Sequence, residues 1–245
     1  MKRVMLKVAY DGTNYHGWQI QPNVITIESV LNKTLSELFH EDIKVIGASR
    51  TDTGVHAMGN IAVFDTAARI PAEKISYALN QRLPEDIRIQ LSTEVASDFH
   101  PRHQNSKKTY EYKILNCAFP MPVYRLYSYF TYVKLDAEKM SKAASYLVGE
   151  HDFKSFCSTR TVAETTVRTI YDIDVEKAQD MIVIRITGSG FLYNMVRIIA
   201  GTLMEAGKGT IAPEYMADIL KAHDREKAGP TLPACGLTLI GYEYL

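Results

Sequence analysis

The order of hydrophobic patterns in the first 95 residues constrains the fold more than any other feature of this sequence. Four segments show strand-like patterns of apolar residues: 4–10, 43–48, 60–66 and 86–95. Thr26 is a good N-cap for a helix whose apolar residues recur every three or four positions. Pro71 suits the first position of a second helix that ends near Leu83. The order β-α-β-β-α-β predicts a ferredoxin-like unit.

A second half of the chain begins near Lys107 and again mixes strands with helices. Its predicted strands are 108–116, 125–134, 168–176, 181–187 and 237–244, and its predicted helices are 136–148, 191–206 and 213–222. This pattern favours an α+β fold with an N-terminal half, 1–104, and a C-terminal half, 105–245. The linker between the halves is short and has no low-complexity character. We therefore expect a ligand-binding cleft between closely packed halves.

The cysteine pattern and the hydropathy exclude several classes of protein. Cys117, Cys157 and Cys235 are far apart and form neither a CxxC pair nor a disulfide framework. Paired histidines at metal-ligand spacing are also missing, so we expect neither a metal nor a cofactor. No apolar run approaches the roughly 20 residues that span a bilayer, and a strand pattern follows directly after the N-terminal residues. These features predict a cytoplasmic protein that does not enter a membrane.

The charge of the chain is balanced, with 28 Lys and Arg residues against 28 Asp and Glu residues. Proteins that bind nucleic acid are usually basic, so the overall balance counts against an RNA partner. A local basic stripe lies between residues 100 and 113, where Glu111 is the one acid; it consists of His100, Arg102, His103, Lys107, Lys108 and Lys113. The stripe suits contact with phosphates, but a solvated strand edge would have the same composition.

The segment 49–57, SRTDTGVHA, carries the best candidates for chemistry because it follows a predicted strand and holds almost no core residues. Hydroxyls and main-chain amides can aim the Asp52 carboxylate into a cleft. Arg50 and His56 can add positive charge beside it or bind phosphate. A plain polar turn would look the same by composition.

Aromatic residues in two segments, one near the N-terminus and one at the start of the second half, suit the binding of an unstacked base. The loop 10–22 combines three aromatic residues with glycines and amides, and Tyr110 and Tyr112 lie on one face of a predicted strand. A tyrosine beside a catalytic aspartate can also move a proton. Packing into the core explains these residues equally well.

Arg197 lies in a nearly continuous apolar run of a predicted helix. A buried guanidinium without a partner costs several kcal/mol, so Arg197 must meet an acceptor. Asp52 is one candidate partner, and another acid or main-chain carbonyl groups are the alternatives.

Taken together, the motifs of this chain resemble the tRNA pseudouridine synthase A family nearly from end to end. The matching segments are YDGTNYHGWQ-Q-P (10–22), SRTDTGVHA (49–57), ALN-LP-DI (78–87), FH-R (99–102), K-Y-Y (108–112), L-GEHDF-SF (147–156), GFLYNMVR-I-GTL (190–203) and GL-L (236–239). One departure is Ile27-Glu28, where members of the family usually have Val-Gln. Many separated motifs in the same order are more specific than any one of them.

The resemblance implies roles for seven residues. Asp52 corresponds to the essential aspartate, Tyr110 to the tyrosine that stacks on the target base, and Arg197 to the arginine that pairs with the aspartate. The substrate-binding positions by resemblance are Arg50 and His56 around the flipped nucleotide, Arg168 for RNA contact, and Leu237 in the pocket wall.

The resemblance also implies a fold, an activity and partners. The expected fold has two RNA-recognition-like halves that share an extended, mostly antiparallel sheet. The expected activity is the isomerisation of uridine to pseudouridine at positions 38 to 40 of the tRNA anticodon stem-loop, by a cofactor-free homodimer. Asp52 would either attack the substrate or remove the C2′ proton, and the sequence does not choose between these. A non-catalytic tRNA-binding module and a small-molecule enzyme are the alternative functions.

Overall fold

The structure is a computed structural model that describes residues 1–159 and 163–245. The chain divides into two compact units. Unit 1 contains Met1–Ser106 and Leu239–Leu245, and unit 2 contains Lys107–Thr238.

Unit 1 has the predicted order β-α-β-β-α-β. Its elements are β1 Lys2–Tyr10, α1 Ile27–Phe39, β2 Ile46–Gly47, β3 His56–Thr66, α2 Ala72–Asn80 and β4 Ile87–Val95. β1 lies between β4 and β3 and is antiparallel to both, and β2 pairs antiparallel with β3. The ferredoxin-like prediction is therefore confirmed for this unit.

The alternation that predicted β1 also explains its packing. Val4, Leu6 and Val8 are fully buried, whereas Lys7 on the opposite face is exposed. Thr26 caps α1 as expected, since its hydroxyl accepts from the Ser29 amide while the Ser29 hydroxyl accepts from the Thr26 amide. This reciprocal cap satisfies two of the amide groups that every helix start leaves open.

Unit 2 is also a mixed unit. Its elements are β5 Ser106–Asn116, β6 Tyr129–Thr131, α3 Ala137–Ser145, β7 Gly149–Asp152, β8 Val167–Ala178, β9 Met181–Gly188, α4 Met195–Lys208 and α5 Tyr215–Ala222. The strand order is β5-β9-β8-β7 with antiparallel pairs, while the short β6 pairs parallel with β5. The last strand of the chain, β10, covers Leu237–Tyr244, and most of it belongs to unit 1. The prediction of an α+β fold with mostly antiparallel strands is confirmed.

Two predicted strands are much shorter in the structure. Only Ile46–Gly47 of the segment 43–48 is a strand, because side chains of α1 bind the preceding backbone: Asn32 accepts from the Val45 amide and Ser36 from the Ile43 amide. The segment 125–134 is a strand only at Tyr129–Thr131, because hydrogen bonds of successive turns hold its first part.

Two further differences from the prediction concern the start of α4 and the strand β7. The helix expected from residue 191 begins at Met195, because Asn194 has a φ of 62°, which interrupts a right-handed helix. Strand β7 was not predicted at all, since Gly149–Asp152 is polar and shows no apolar alternation. It pairs along β8, so the partner strand and not its own sequence makes it a strand.

Candidate active site

Asp52 lies in the loop between β2 and β3 of unit 1. The Val55 amide donates to the Asp52 carbonyl oxygen at 3.1 Å and closes a tight turn, in which Gly54 has a φ of 77°. Asp52 is half-buried, whereas Arg50 and Thr53 on either side are exposed. The carboxylate therefore sits at the surface of a loop whose backbone is folded into a defined turn.

The N-terminal loop, residues 11–25, holds this turn in place through main-chain hydrogen bonds. The Trp18 amide donates to the Thr51 carbonyl oxygen at 3.0 Å, and the Gly54 amide donates to the Tyr15 carbonyl oxygen at 3.2 Å. These bonds lie on the two sides of Asp52 in the sequence. They fix the backbone on both sides of the candidate carboxylate.

Two glycines of the N-terminal loop make this close approach possible. A Cβ atom on Gly12 would lie 2.0 Å from the Val55 carbonyl oxygen, and one on Gly17 would lie 2.5 Å from the Thr51 carbonyl oxygen. Any side chain at either position would push the two loops apart. The glycines of the sequence motif YDGTNYHGWQ thus have a steric function.

His56 is buried at the start of β3 and contacts the same N-terminal loop. Its Nδ1 atom accepts from the Gly12 amide at 3.1 Å and lies at the same distance from an oxygen of Asp11. His56 is thus held against both the backbone and an acidic side chain of the N-terminal loop. In unit 1, Arg50 and Asp52 thus lie in the loop before β3, and His56 is the first residue of that strand.

Tyr110 lies in β5 of unit 2 and is 8% exposed. It pairs across the sheet with Ile186, and its ring contacts the Phe191 ring in a T-shaped arrangement with centroids 5.2 Å apart. Phe191 and the strand therefore fix the orientation of the tyrosine ring. Its role in stacking on a base stays a prediction.

Arg197 lies in the first turn of α4 and is half-buried. Its Nε atom donates to the Leu232 carbonyl oxygen at 2.6 Å, and a terminal nitrogen donates to the Asn194 side-chain oxygen at 2.8 Å. A main-chain carbonyl partner, one of the alternatives left open by the sequence, is therefore present. Pairing of Arg197 with Asp52 stays a prediction.

The positive charge of Arg197 acts on two neighbouring groups, the Cys235 thiol and the Tyr112 hydroxyl. Burial raises the pKa of the Cys235 thiol, and the positive charge of Arg197 acts on this thiol in the opposite direction. The Tyr112 hydroxyl donates to the Pro233 carbonyl oxygen at 2.7 Å and is likewise subject to the charge of Arg197. Arg197 thus lies in a polar cluster of unit 2 that includes the segment leading into β10.

Arg168 and Leu237 are the other predicted site residues of unit 2. Arg168, in β8, is half-buried and donates to the carbonyl oxygens of Thr165 and Val167. Burial lowers its pKa, as expected for a cation with restricted access to solvent. Leu237 is 6% exposed at the start of β10 and supplies only apolar surface.

The basic stripe of the sequence is partly neutralised. Glu111 accepts from Arg185 on β9 and also lies 3.8 Å from the Lys113 nitrogen, so Lys113 does not contribute an unscreened charge. Lys107 stands over the Tyr171 ring at 5.5 Å. The rings of His100 and His103 stack with their centroids 3.8 Å apart. Arg102 and His103 are the exposed members of the stripe.

Metal-ligating residues do not cluster in the described part of the chain. Across residues 1–159 and 163–245, no three His, Cys, Asp or Glu side chains are grouped so that they can hold a metal ion. In the same residues, no helix is long and apolar enough to cross a membrane.

A family model described as tRNA pseudouridine synthase matches residues 7–104 and 143–244 of the chain. The chain belongs to the tRNA pseudouridine synthase A family. Proteins named tRNA pseudouridine synthase A from Thermoanaerobacter sp. and Acetivibrio thermocellus are 50% and 47% identical to it over 244 residues, which is 100% of each chain. The protein of that name from Brevibacillus brevis is 46% identical over 239 residues, or 98% of each chain.

A solved structure that matches this chain is much less similar in sequence than these relatives. The archaeal box H/ACA sRNP Nop10-Cbf5 complex covers 96% of this chain and 45% of its own, at 10% identity and a TM-score of 0.35. Membership of the synthase family identifies the chain as an isomerase that forms pseudouridine in tRNA.

Three residues near the predicted site had no role in the sequence analysis. Asn60 binds the backbone of Ser49, Asn194 binds Arg197, and the Leu232 carbonyl oxygen accepts from the same arginine. Asn60 was detectable as a polar residue within an otherwise apolar strand segment. A carbonyl group such as that of Leu232 leaves no signal in the sequence.

Proposed function

We propose that this protein isomerises uridine to pseudouridine at positions 38–40 of the tRNA anticodon stem-loop, with Asp52 as the catalytic carboxylate. The observation that supports this role best is the fixed turn around Asp52. Main-chain hydrogen bonds at Thr51 and Gly54 hold the backbone on both sides while the side chain stays half-buried at the surface. A carboxylate held in this way can meet a sugar carbon with little loss of entropy.

The reaction begins when the target uridine leaves the base stack, since the enzyme must turn the base around. The C1′–N1 bond then breaks, the uracil rotates, and a C1′–C5 bond forms. The C5 proton leaves, and N1 gains a proton, so the product is an isomer of the substrate. Ionised Asp52 starts the reaction by attack on C1′ or by removal of the C2′ proton.

Each of the other site residues has a proposed task. Tyr110 stacks on the detached uracil, because Phe191 holds its ring in place. Its hydroxyl takes up the C5 proton as it passes its own proton on. Arg197 keeps Asp52 charged and aimed, which a double-mutant cycle of the two residues can measure. Leu237 supplies an apolar wall to the pocket. Three residues bind the substrate RNA: Arg50 and His56 near the flipped nucleotide, and Arg168 at the backbone.

The partner and the assembly are also proposals. Uridines at neighbouring positions share backbone geometry and not sequence, so we expect contacts to phosphates and to shape. The local basic stripe can supply the phosphate contacts in a chain whose overall charge is zero. We propose a cytoplasmic homodimer in which one tRNA contacts both subunits. Sedimentation of the protein with and without tRNA gives the stoichiometry directly.

The decisive experiment uses tRNA transcripts with tritium at uridine C5. Formation of the C1′–C5 bond replaces the C5–H bond, so pseudouridine formation releases tritium into water. We expect release by wild-type protein and none by Asp52→Asn at equal tRNA binding. Transcripts in which positions 38–40 hold cytidine serve as the matched control and must release nothing.

The outcomes distinguish the proposed isomerase from a non-catalytic tRNA-binding module. Tritium release by Asp52→Asn at the wild-type rate would contradict the catalytic role of Asp52. Tight tRNA binding without release by any variant would favour a non-catalytic tRNA-binding module. Release from the cytidine control at the full level of the unaltered transcript would retain the isomerase activity but exclude the proposed positions.

A further inference from the structure

We infer that Tyr10 and Asn60 are positioning residues for Asp52, which they orient through the side chains and backbone of Thr51 and Ser49. This inference rests on the proposed catalytic role of Asp52. All of the residues that carry it belong to unit 1.

Exposure alternates along the segment that leads to Asp52. Ser49 and Thr51 are each 7% exposed, whereas Arg50 is exposed and Asp52 half-buried. In an extended backbone, successive side chains point in opposite directions. Anchoring the inward-facing residues 49 and 51 therefore sets the direction in which Asp52 points.

Tyr10 anchors the nearer of these two residues. Its hydroxyl lies 2.7 Å from the Thr51 hydroxyl, and both groups are buried. Tyr10 is the last residue of β1 and its ring lies 6.0 Å from the Trp18 ring, so the strand and the ring packing hold this hydroxyl in place. The Thr51 side chain is thus bound to a rigid part of unit 1, one residue away from Asp52.

Asn60 anchors the other residue. Its amide nitrogen donates to the Ser49 carbonyl oxygen at 3.0 Å, and its amide oxygen accepts from the Ser49 amide at 3.2 Å. The same amide nitrogen lies 3.4 Å from the Tyr10 hydroxyl, and the Asn60 side chain is 0% exposed. Tyr242 adds a hydroxyl contact to the Ser49 side chain. The hydrogen bonds form one connected buried network beneath the aspartate loop.

A buried polar network of this kind has little use in a plain surface turn. Each polar group must be satisfied once it is buried, and apolar side chains would fill the same space at lower risk. Its benefit is the fixed direction of a carboxylate, since a displacement of about 1 Å can reduce an enzymatic rate about 100-fold. The network therefore acts on the rate of the reaction and not on the binding of tRNA.

The test compares variants that remove single hydroxyl groups. Tyr10→Phe and Thr51→Val each break the bond between Tyr10 and Thr51 without a change in volume, and Thr51→Ser keeps the hydroxyl. Tyr244→Phe is the matched control, because it removes another tyrosine hydroxyl of unit 1, one that donates to the Pro101 carbonyl oxygen at 3.4 Å. Tritium release gives kcat and KM, and calorimetry gives the melting temperature.

We expect Tyr10→Phe and Thr51→Val to lower kcat about 10-fold or more at an unchanged KM. Thr51→Ser and Tyr244→Phe should retain kcat within about twofold. The double variant Tyr10→Phe/Thr51→Val should be no slower than the slower single variant, because both substitutions break the same bond. An unchanged kcat in both single variants overturns the inference, and so does a double variant whose loss is the product of the single losses.

The same series includes wild-type protein and Asp52→Asn, which separate the inference from the proposed function. If Asp52→Asn is inactive while Tyr10→Phe and Thr51→Val match wild type, the positioning role fails and the function stands. If Asp52→Asn matches wild type, the proposed function itself fails. Should Tyr10→Phe prove unstable, Thr51→Val and Thr51→Ser decide the question by themselves.

Discussion

Arg197 donates through its Nε atom to the carbonyl oxygen of Leu232 at 2.6 Å, which ties the first turn of α4 to the segment 228–233. The same segment approaches α4 at two further points. The Gly229 amide donates to the Thr202 hydroxyl at 2.9 Å, and a Cβ atom on Gly201 would lie 1.9 Å from the Pro230 carbonyl oxygen. The guanidinium is therefore oriented by a segment that is itself fixed along the helix.

Replacing Arg197 with lysine keeps the charge but removes the planar group that donates in two directions. An ammonium group cannot reach both the Leu232 carbonyl oxygen and the Asn194 side chain in the same geometry. We expect Arg197→Lys to lower kcat for tritium release at least about 10-fold, with a melting temperature lower by only a few degrees. Arg82→Lys is the control, since Arg82 also binds a main-chain carbonyl oxygen but is exposed. Wild-type turnover by Arg197→Lys would contradict a role for the arginine geometry.

A methyl group on Gly12 should separate the N-terminal loop from the aspartate turn. Its Cβ atom would lie 2.0 Å from the Val55 carbonyl oxygen, so one backbone must move. Such overpacking typically costs about 1–3 kcal/mol. We expect Gly12→Ala to lower both the melting temperature and kcat. Gly241→Ala, where a Cβ atom would meet nothing within 4 Å, should behave as wild type in both measurements.

Ser155 connects the segment before β8 with the end of α5. Its buried hydroxyl donates to the Ile219 carbonyl oxygen at 2.6 Å and accepts from the Asp224 amide at 2.9 Å. Ser155→Ala leaves both backbone groups without this partner, which should cost about 1–3 kcal/mol of the free energy of unfolding in urea. Ser145→Ala, which removes an exposed hydroxyl bond within α3, should cost less than about 0.5 kcal/mol. Equal losses in the two variants would show that burial is not the cause.

The ion pair between Arg3 and Asp65 should make stability depend on pH. The hydrogen bond from Arg3 holds the pKa of Asp65 below its ordinary value of 3.8. Because folding lowers this pKa, the pair contributes its full stability above the ordinary pKa, and the contribution is lost as the pH falls through the folded pKa. Partial exposure and solvent screening limit it to about 0.5–1 kcal/mol.

Urea unfolding of wild type and Asp65→Asn tests this dependence. The variant should be less stable by that amount at pH 7, and the difference should shrink as the pH falls below about 4. Asp42→Asn is the control, because the Asp42 carboxylate is highly exposed. A difference that stays constant down to pH 3 would contradict the assigned linkage.

The sequence predicted the elements whose stability depends on local pattern. The strands β1 and β9 lie where the alternation of apolar residues predicted them, and α1 lies where capping and helical spacing predicted it. Each of these elements buries one face. The helix closes its own backbone hydrogen bonds, and the strands pair along their length. The strand prediction for the segment 125–134 was wrong for most of its length, because the backbone bonds there are not those of a strand. Its aromatic residues favour strand, but turn hydrogen bonds such as that from the Tyr127 amide to Tyr124 take up the backbone groups first.

The candidate site shows the same division. The polar loop around Asp52 was visible as a segment with almost no core residues. The residues that hold it were not, because the bonds of Tyr10 and Asn60 to this loop join positions about 10 to 40 residues apart in the sequence. Likewise, the requirement of Arg197 for acceptors followed from its apolar neighbours, whereas the Leu232 carbonyl oxygen could only be identified in three dimensions.

The position of β10 in the sequence bears on how the protein is made. Residues 239–245 belong to unit 1, where the Tyr244 ring packs against Phe99 and the Leu245 amide donates to the Asn105 carbonyl oxygen. Translation produces them only after the whole of unit 2. A nascent chain that ends at residue 106 therefore lacks part of its own unit, including the Tyr242 contact to Ser49. The Tyr242 contact beneath the aspartate loop can therefore form only after the whole of unit 2 has been translated.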